Sequence, residues 1–177
     1  LKGLKAILGD IIYSEKDDTL ESAVGDLLKA YGKTLSTAES CTGGMISSLI
    51  TSVPGSSEYF LGSVTSYANG VKENVLGVPA EIIAEHGAVS SECVAAMAEG
   101  VRRITSSDYS VATSGIAGPG GGSEEKPVGT VWIGVSSDNG TETFRLKFNS
   151  DRKRNIERFS SSALHILLNK IKKELNN

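Results

Sequence analysis

The sequence is poor in cysteine and histidine and has no long apolar run. Its two cysteines, Cys41 and Cys93, cannot build a disulfide framework, which points to a reducing compartment, the cytoplasm. With only two histidines, His86 and His165, it offers no spaced cluster of soft ligands, and no metal site is expected. The longest apolar stretches fall far short of the ~20 residues that span a bilayer, so no membrane partner is expected. Basic residues are not in excess: 18 Lys and Arg against 21 Asp and Glu give a net charge of -3, which leaves no general basic surface for a nucleic-acid backbone. Neither phosphate-loop pattern occurs, which removes the nucleoside-triphosphate reading and any expectation of a cofactor.

What remains is a globular composition of 177 residues, 39% hydrophobic and 22% charged, the size of one compact domain. Its 20 glycines against 4 prolines supply backbone freedom that must be used somewhere. Leu1-Lys2-Gly3 opens neither a signal peptide nor a chain with an initiator methionine, so the sequence reads as a piece of a longer protein. Residues 1–18 read as a linker and 19–177 as the domain.

Thr19 caps an expected helix over 20–31, and Ser90 caps a longer one carrying Val94, Met97, Val101 and Ile104. Met45, Ile46, Leu49, Ile50 and Val53 mark a helix that ends before Pro54-Gly55. Short helices are expected over 71–76 and 79–85, and a final one over 152–175. Strands are expected over 33–38, 61–68, 109–114 and 128–136, with an edge or antiparallel strand where Phe144, Leu146 and Phe148 alternate with Arg145 and Lys147. Much of the glycine lies in the loop from Gly115 to Pro127. This order predicts an α/β fold, a three-layer α/β/α sandwich with a mixed, mostly parallel sheet. Ligands of such sheets sit where strands end, so the loops 39–44 and 115–127 are expected on one rim.

In Glu39-Ser-Cys-Thr-Gly-Gly44 a hydroxyl pair stands between strand and helix beside two glycines. Ser40 is a candidate nucleophile, and equally a candidate helix cap. It lacks the Gly-x-Ser-x-Gly surround of a hydrolase elbow, and His86, beside Gly87, reads as a helix end. A serine without histidine can be activated by a neutral lysine, for which Lys72 and Lys126 are available, although a solvated lysine is the commoner case. Cys41 ranks below Ser40, since small buried cysteines beside turns are common. The basic cluster Arg152-Lys153-Arg154 opposes the dipole of the final helix, which suggests a bound anion or an acidic neighbour.

Ala38-Glu-Ser-Cys-Thr-Gly-Gly44, Tyr67-Ala-Asn-Gly-Val-Lys72, His86-Gly-Ala-Val-Ser90 and Ser114-Gly-Ile-Ala-Gly-Pro119, with Gly121-Gly-Ser-Glu-Glu-Lys-Pro-Val-Gly-Thr-Val131, occur in the order found in one family. Over about residues 19–170 the chain resembles the CinA C-terminal domain, the nicotinamide mononucleotide deamidases. The resemblance implies metal-independent hydrolysis of that nucleotide to nicotinic acid mononucleotide and ammonia, by a homodimer or larger homo-oligomer. It implies Ser40 as nucleophile, Lys72 as base, and Tyr67 and Thr42 as auxiliary polar groups. It places Gly43, Gly44, Ser114, Gly115, Ala117, Gly118, Gly121 and Arg152 around the nucleotide. A second reading is a non-catalytic module that binds a nucleotide or a partner.

Overall fold

A computed structural model describes residues 19–175, and the linker expected over 1–18 lies outside them. The elements are α1 (Leu20–Ala30), β1 (Leu35–Glu39), α2 (Met45–Thr51), β2 (Phe60–Thr65), α3 (Asn69–Asn74), α4 (Ala80–His86), α5 (Ser91–Thr105), β3 (Tyr109–Gly115), β4 (Thr130–Ser137), β5 (Gly140–Lys147) and α6 (Arg152–Leu175). Both serine/threonine caps form as the sequence predicts: Thr19 accepts from the Ser22 amide and Ser90 from the Cys93 amide. A single 3-10 turn at Ser56–Glu58, ahead of β2, carries no periodicity that a sequence reading could use.

The five strands lie in the order β2-β1-β3-β4-β5. β1 pairs in parallel with β2 and β3, whereas β3–β4 and β4–β5 are antiparallel. The sheet is thus mixed, as expected, but its four pairings are evenly divided rather than mostly parallel. The short turn at Asp138–Asn139 accounts for the β4–β5 pair, since so brief a connection can join only antiparallel neighbours.

Helices cover both faces. On one, Leu35, Val111, Val131, Ile133 and Val135 pack against Val24 and Leu28 of α1, Ile46 and Ile50 of α2, and Phe159, Ala163, Leu167 and Ile171 of α6. On the other, Ala38 and Ala112 meet Val94, Met97 and Val101 of α5. Small residues let α5 come close: a Cβ on Gly134 would stand 2.7 Å from the Val94 carbonyl oxygen. At the base of the sheet Asp108 ties β1 to β3, accepting from Lys33 Nζ at 3.0 Å, the Thr34 amide at 2.9 Å and Thr34 Oγ1 at 2.7 Å. Among the described residues no helix is long and apolar enough to cross a membrane.

Candidate active site

The chain leaves β1 toward β2 on one side and returns later to β3 on the other, so the gap between the ends of β1 and β3 is where strand order reverses. Open α/β sheets present their ligand crevice at such a point. The loops after β1 and β3 meet there, joined where the Ser40 amide donates to the Thr113 carbonyl at 3.0 Å. A cleft of about 280 Å³ opens beside them, lined by Ser40, Cys41, Tyr67, Gly115, Ala117, Gly118, Gly121 and Arg152, together with Ile116 and Gly120. A larger hollow of about 470 Å³ lies elsewhere along α5, away from the point where strand order reverses, and Arg102 and Asp108 in its lining are already paired, with Asp138 and Lys33.

The turn after β1 is built around Glu39, a residue that the sequence reading passed over. Its buried carboxylate accepts four hydrogen bonds: from Thr42 Oγ1 at 2.7 Å, the Gly44 and Ile46 amides at 3.0 Å each, and the Ser47 amide at 2.8 Å. Glu39 therefore satisfies the exposed amides at the start of α2, the role that a capping serine would have played. The helix begins five residues past Ser40, at Met45, with Gly44 at its cap position. The Ser40 hydroxyl is left with no cap to make.

Lys72 supplies its partner. The side chain is 1% exposed, and Nζ lies 3.1 Å from Ser40 Oγ, 2.6 Å from the Ser66 carbonyl and 3.4 Å from the Tyr67 carbonyl. Among the described residues no carboxylate pairs with it, and burial pulls its pKa below the ordinary lysine value. A neutral amine has two N–H bonds and one lone pair. In that form the two N–H bonds serve the Ser66 carbonyl closely and the Tyr67 carbonyl at longer range, which leaves the lone pair for the Ser40 proton; as an ammonium Nζ donates to all three oxygens.

Opposite this pair stands the glycine loop. Asn155 Nδ2 donates to the Ala117 carbonyl at 3.0 Å and Arg152 Nη1 to the Gly118 carbonyl at 2.7 Å, so the first turn of α6 holds two successive carbonyls of the loop. Gly118 has φ 92°, and a Cβ there would stand 2.5 Å from Val128 Cγ1. Arg152 Nη2 also donates to the Tyr67 hydroxyl at 3.1 Å, bridging the two walls. The acidic neighbour expected for the basic cluster is Asp151, which accepts from the Arg154 amide at 3.0 Å.

The structure thus brings Ser40, Lys72, Tyr67, Gly115, Ala117, Gly118, Gly121 and Arg152 together. It does not bring the others. Thr42 Oγ1 is spent on Glu39 and Thr113 inside the turn, and Ser114 Oγ donates to the Ala88 carbonyl at 2.6 Å. The Gly44 amide belongs to Glu39 and the Gly43 amide to the Ser40 carbonyl, so neither glycine is an open donor for a substrate oxyanion. Tyr67 reaches Lys72 through its carbonyl, not its hydroxyl. Cys41 falls away as a nucleophile, because burial pushes its thiol up to about 12. Lys126 donates to the His86 carbonyl at 2.7 Å, and His165 bonds Asn169 on α6, so neither histidine reaches the cleft.

Residues 17–171 match the family model of the CinA C-terminal domain. A CinA-like protein of Pseudothermotoga lettingae is 51% identical over 150 residues, 85% of this chain and 37% of that protein. One of Thermotoga maritima is 47% identical over 159 residues, 90% of this chain and 39% of that protein, so the chain spans well under half of these relatives. Among solved structures, a CinA superfamily protein from Klebsiella pneumoniae is 34% identical with a TM-score of 0.84, covering 87% of this chain and 96% of that one. A competence/damage inducible protein from Agrobacterium tumefaciens is 35% identical with a TM-score of 0.83, covering 91% and 96%. Sequence and fold agree over nearly the whole described chain, which therefore belongs to the CinA C-terminal domain family.

Proposed function

We propose that this domain is an amidohydrolase that converts nicotinamide mononucleotide to nicotinic acid mononucleotide and ammonia. The observation that carries the reading is the buried, carboxylate-free amine of Lys72 set 3.1 Å from the Ser40 hydroxyl at the edge of the cleft. A module that only binds has no use for a desolvated amine against a serine. The substrate itself follows from the family resemblance.

In this reading Lys72 takes the Ser40 proton as Oγ attacks the carboxamide carbon. The resulting ammonium then protonates the amide nitrogen, the C–N bond breaks, and ammonia leaves an ester on Ser40. Lys72, neutral again, deprotonates a water that attacks the ester, and the proton returns to Ser40 as the acid is released. On this reading Arg152 and the loop at Gly118 and Gly121, which line the cleft, hold the ribose phosphate and position the carboxamide with binding energy from a part of the substrate that does not react.

Ammonia release from nicotinamide mononucleotide, nicotinamide riboside and free nicotinamide tests the reading. The nucleotide should turn over and free nicotinamide far less. Equal turnover of all three would remove the nucleotide pocket, and no turnover of any would remove the amidase. Arg152→Ala should raise KM for the mononucleotide roughly ten- to a hundredfold more than for the riboside, which loses only the loop anchor, the difference being the scale of a charge-assisted hydrogen bond. Equal effects on both substrates would place the phosphate elsewhere.

The rate should also follow the state of Lys72. The base works only when neutral, so kcat is low in acid and rises with pH through the Lys72 pKa. Because burial holds that pKa below the usual lysine value, the half-maximum should fall below it too. A rise centred on the ordinary lysine value would mean that Lys72 is not the base.

A further inference from the structure

Four buried side-chain atoms among the described residues have no hydrogen-bond partner: the Tyr59 hydroxyl, Ser66 Oγ, Thr130 Oγ1 and Asn155 Oδ1. Of these residues only Ser66 touches Lys72. It is 0% exposed, follows β2 directly, and is locked by its backbone: the amide donates to the Glu39 carbonyl at 2.8 Å and the carbonyl accepts from Lys72 Nζ at 2.6 Å. Alanine would serve both backbone bonds as well and would leave no buried hydroxyl unsatisfied. Something other than folding accounts for the oxygen.

We propose that Ser66 is the positioning residue for Lys72: its hydroxyl, by rotation about Cα–Cβ, accepts an N–H from the ammonium that forms when Ser40 gives up its proton. The inference rests on the amidase reading above. When Nζ gains the proton it carries three N–H bonds. One stays on the Ser66 carbonyl and one turns to the departing nitrogen. Ser40 Oγ, now bonded to the substrate carbon, is a poor acceptor, and the Tyr67 carbonyl at 3.4 Å is a long one. The third N–H, held only weakly by the Tyr67 carbonyl, therefore gains a closer acceptor in the free hydroxyl on the residue that Nζ already touches.

The surroundings leave this task to no other charged group. The titratable groups facing Lys72 are the thiols of Cys41, in the turn after β1, and Cys93 on α5, and burial raises both so that they stay neutral. The ammonium is thus stabilised by oriented dipoles alone, and removing one of them must lower the lysine pKa further.

Titration of Lys72 by NMR of carbon-13-labelled lysine, run beside the pH profile of kcat, tests this in the wild type, Ser66→Ala and Ser66→Thr. Ser66→Ala should lower the Lys72 pKa by about one unit and kcat by roughly tenfold or more, with KM unchanged and Tm equal or higher. Ser66→Thr, which keeps the hydroxyl, should restore both. An unshifted titration in Ser66→Ala, or a shift that Ser66→Thr does not reverse, overturns the proposal. Should Ser66→Ala fail to fold, Ser66→Cys, of similar shape but a weaker acceptor, reads the same shift. If the wild type releases no ammonia from the nucleotide, the amidase reading fails, while the titration still judges Ser66.

Discussion

Ser40→Ala and Lys72→Ala should each lower turnover of nicotinamide mononucleotide by about a thousandfold or more, with the double variant scarcely slower than either. An amide is a poor electrophile, and a hydroxyl held 3.1 Å from an amine is activated only while both partners are present. Once one is gone the other contributes almost nothing, which is why the effects do not add. Lys72→Met separates chemistry from folding. It fills a similar volume, removes the cost of burying an amine, and should leave Tm equal or raised while activity is lost. Calorimetry on Ser40→Ala should show the nucleotide still bound. An active Ser40→Ala would exclude the serine as nucleophile, and a slow but additive pair would mean that the two residues work separately.

The largest effect on stability belongs to Glu39. Glu39→Ala strands the Gly44, Ile46 and Ser47 amides and the Thr42 hydroxyl, of which the Ile46 and Thr42 bonds are fully buried. The expected loss is about 3–5 kcal/mol in denaturant unfolding, the scale of breaking a buried charged network. For a domain of this size that is roughly 10 °C in Tm. Glu39→Gln keeps the shape but turns an N–H toward donors, and should recover only part of it. Because Ser40 follows Glu39 directly, both variants should also lose activity beyond what their folded fraction explains. A Tm within a degree or two of wild type in Glu39→Ala would mean that the turn holds itself.

Where side chains speak to neighbours in sequence, the fold was legible. Thr19 and Ser90 cap the helices they precede, and the apolar period of residues 152–175 marks the last helix. β1 is a harder case. Leu35-Ser-Thr-Ala-Glu39 has no alternation because both its faces are covered, and its polar groups are paired across the sheet, Ser36 with Ser107 and Thr37 with Ser63. The alternation in β5 marked it as an edge or antiparallel strand, but the antiparallel β3–β4 pair was hidden, since strand partners across a long loop are set by long-range packing. At the site, Ser40 and Lys72 could be singled out from residue chemistry, but a separation of 32 positions conceals their contact. Local pattern cannot say that a lysine in a six-residue helix is 1% exposed rather than solvated. Glu39 offered one faint signal, an acid placed just ahead of a helix with no side-chain cap of its own. Asn155 offered less, because its partner at Ala117 lies 38 residues away.

The grip of α6 on the glycine loop sets an order in time. Ser40, Lys72 and the loop itself all emerge from the ribosome before residue 152, yet the loop carbonyls at Ala117 and Gly118 have no anchor until Arg152 and Asn155 arrive. The same helix shares one face of the sheet with α1 and α2. A growing chain therefore carries a complete nucleophile and base for many seconds, at ~5–20 residues per second, without a pocket to bring them a substrate. On the amidase reading, a chain that has not yet reached α6 has the two reacting residues but no pocket, so hydrolysis waits on the helix that follows them.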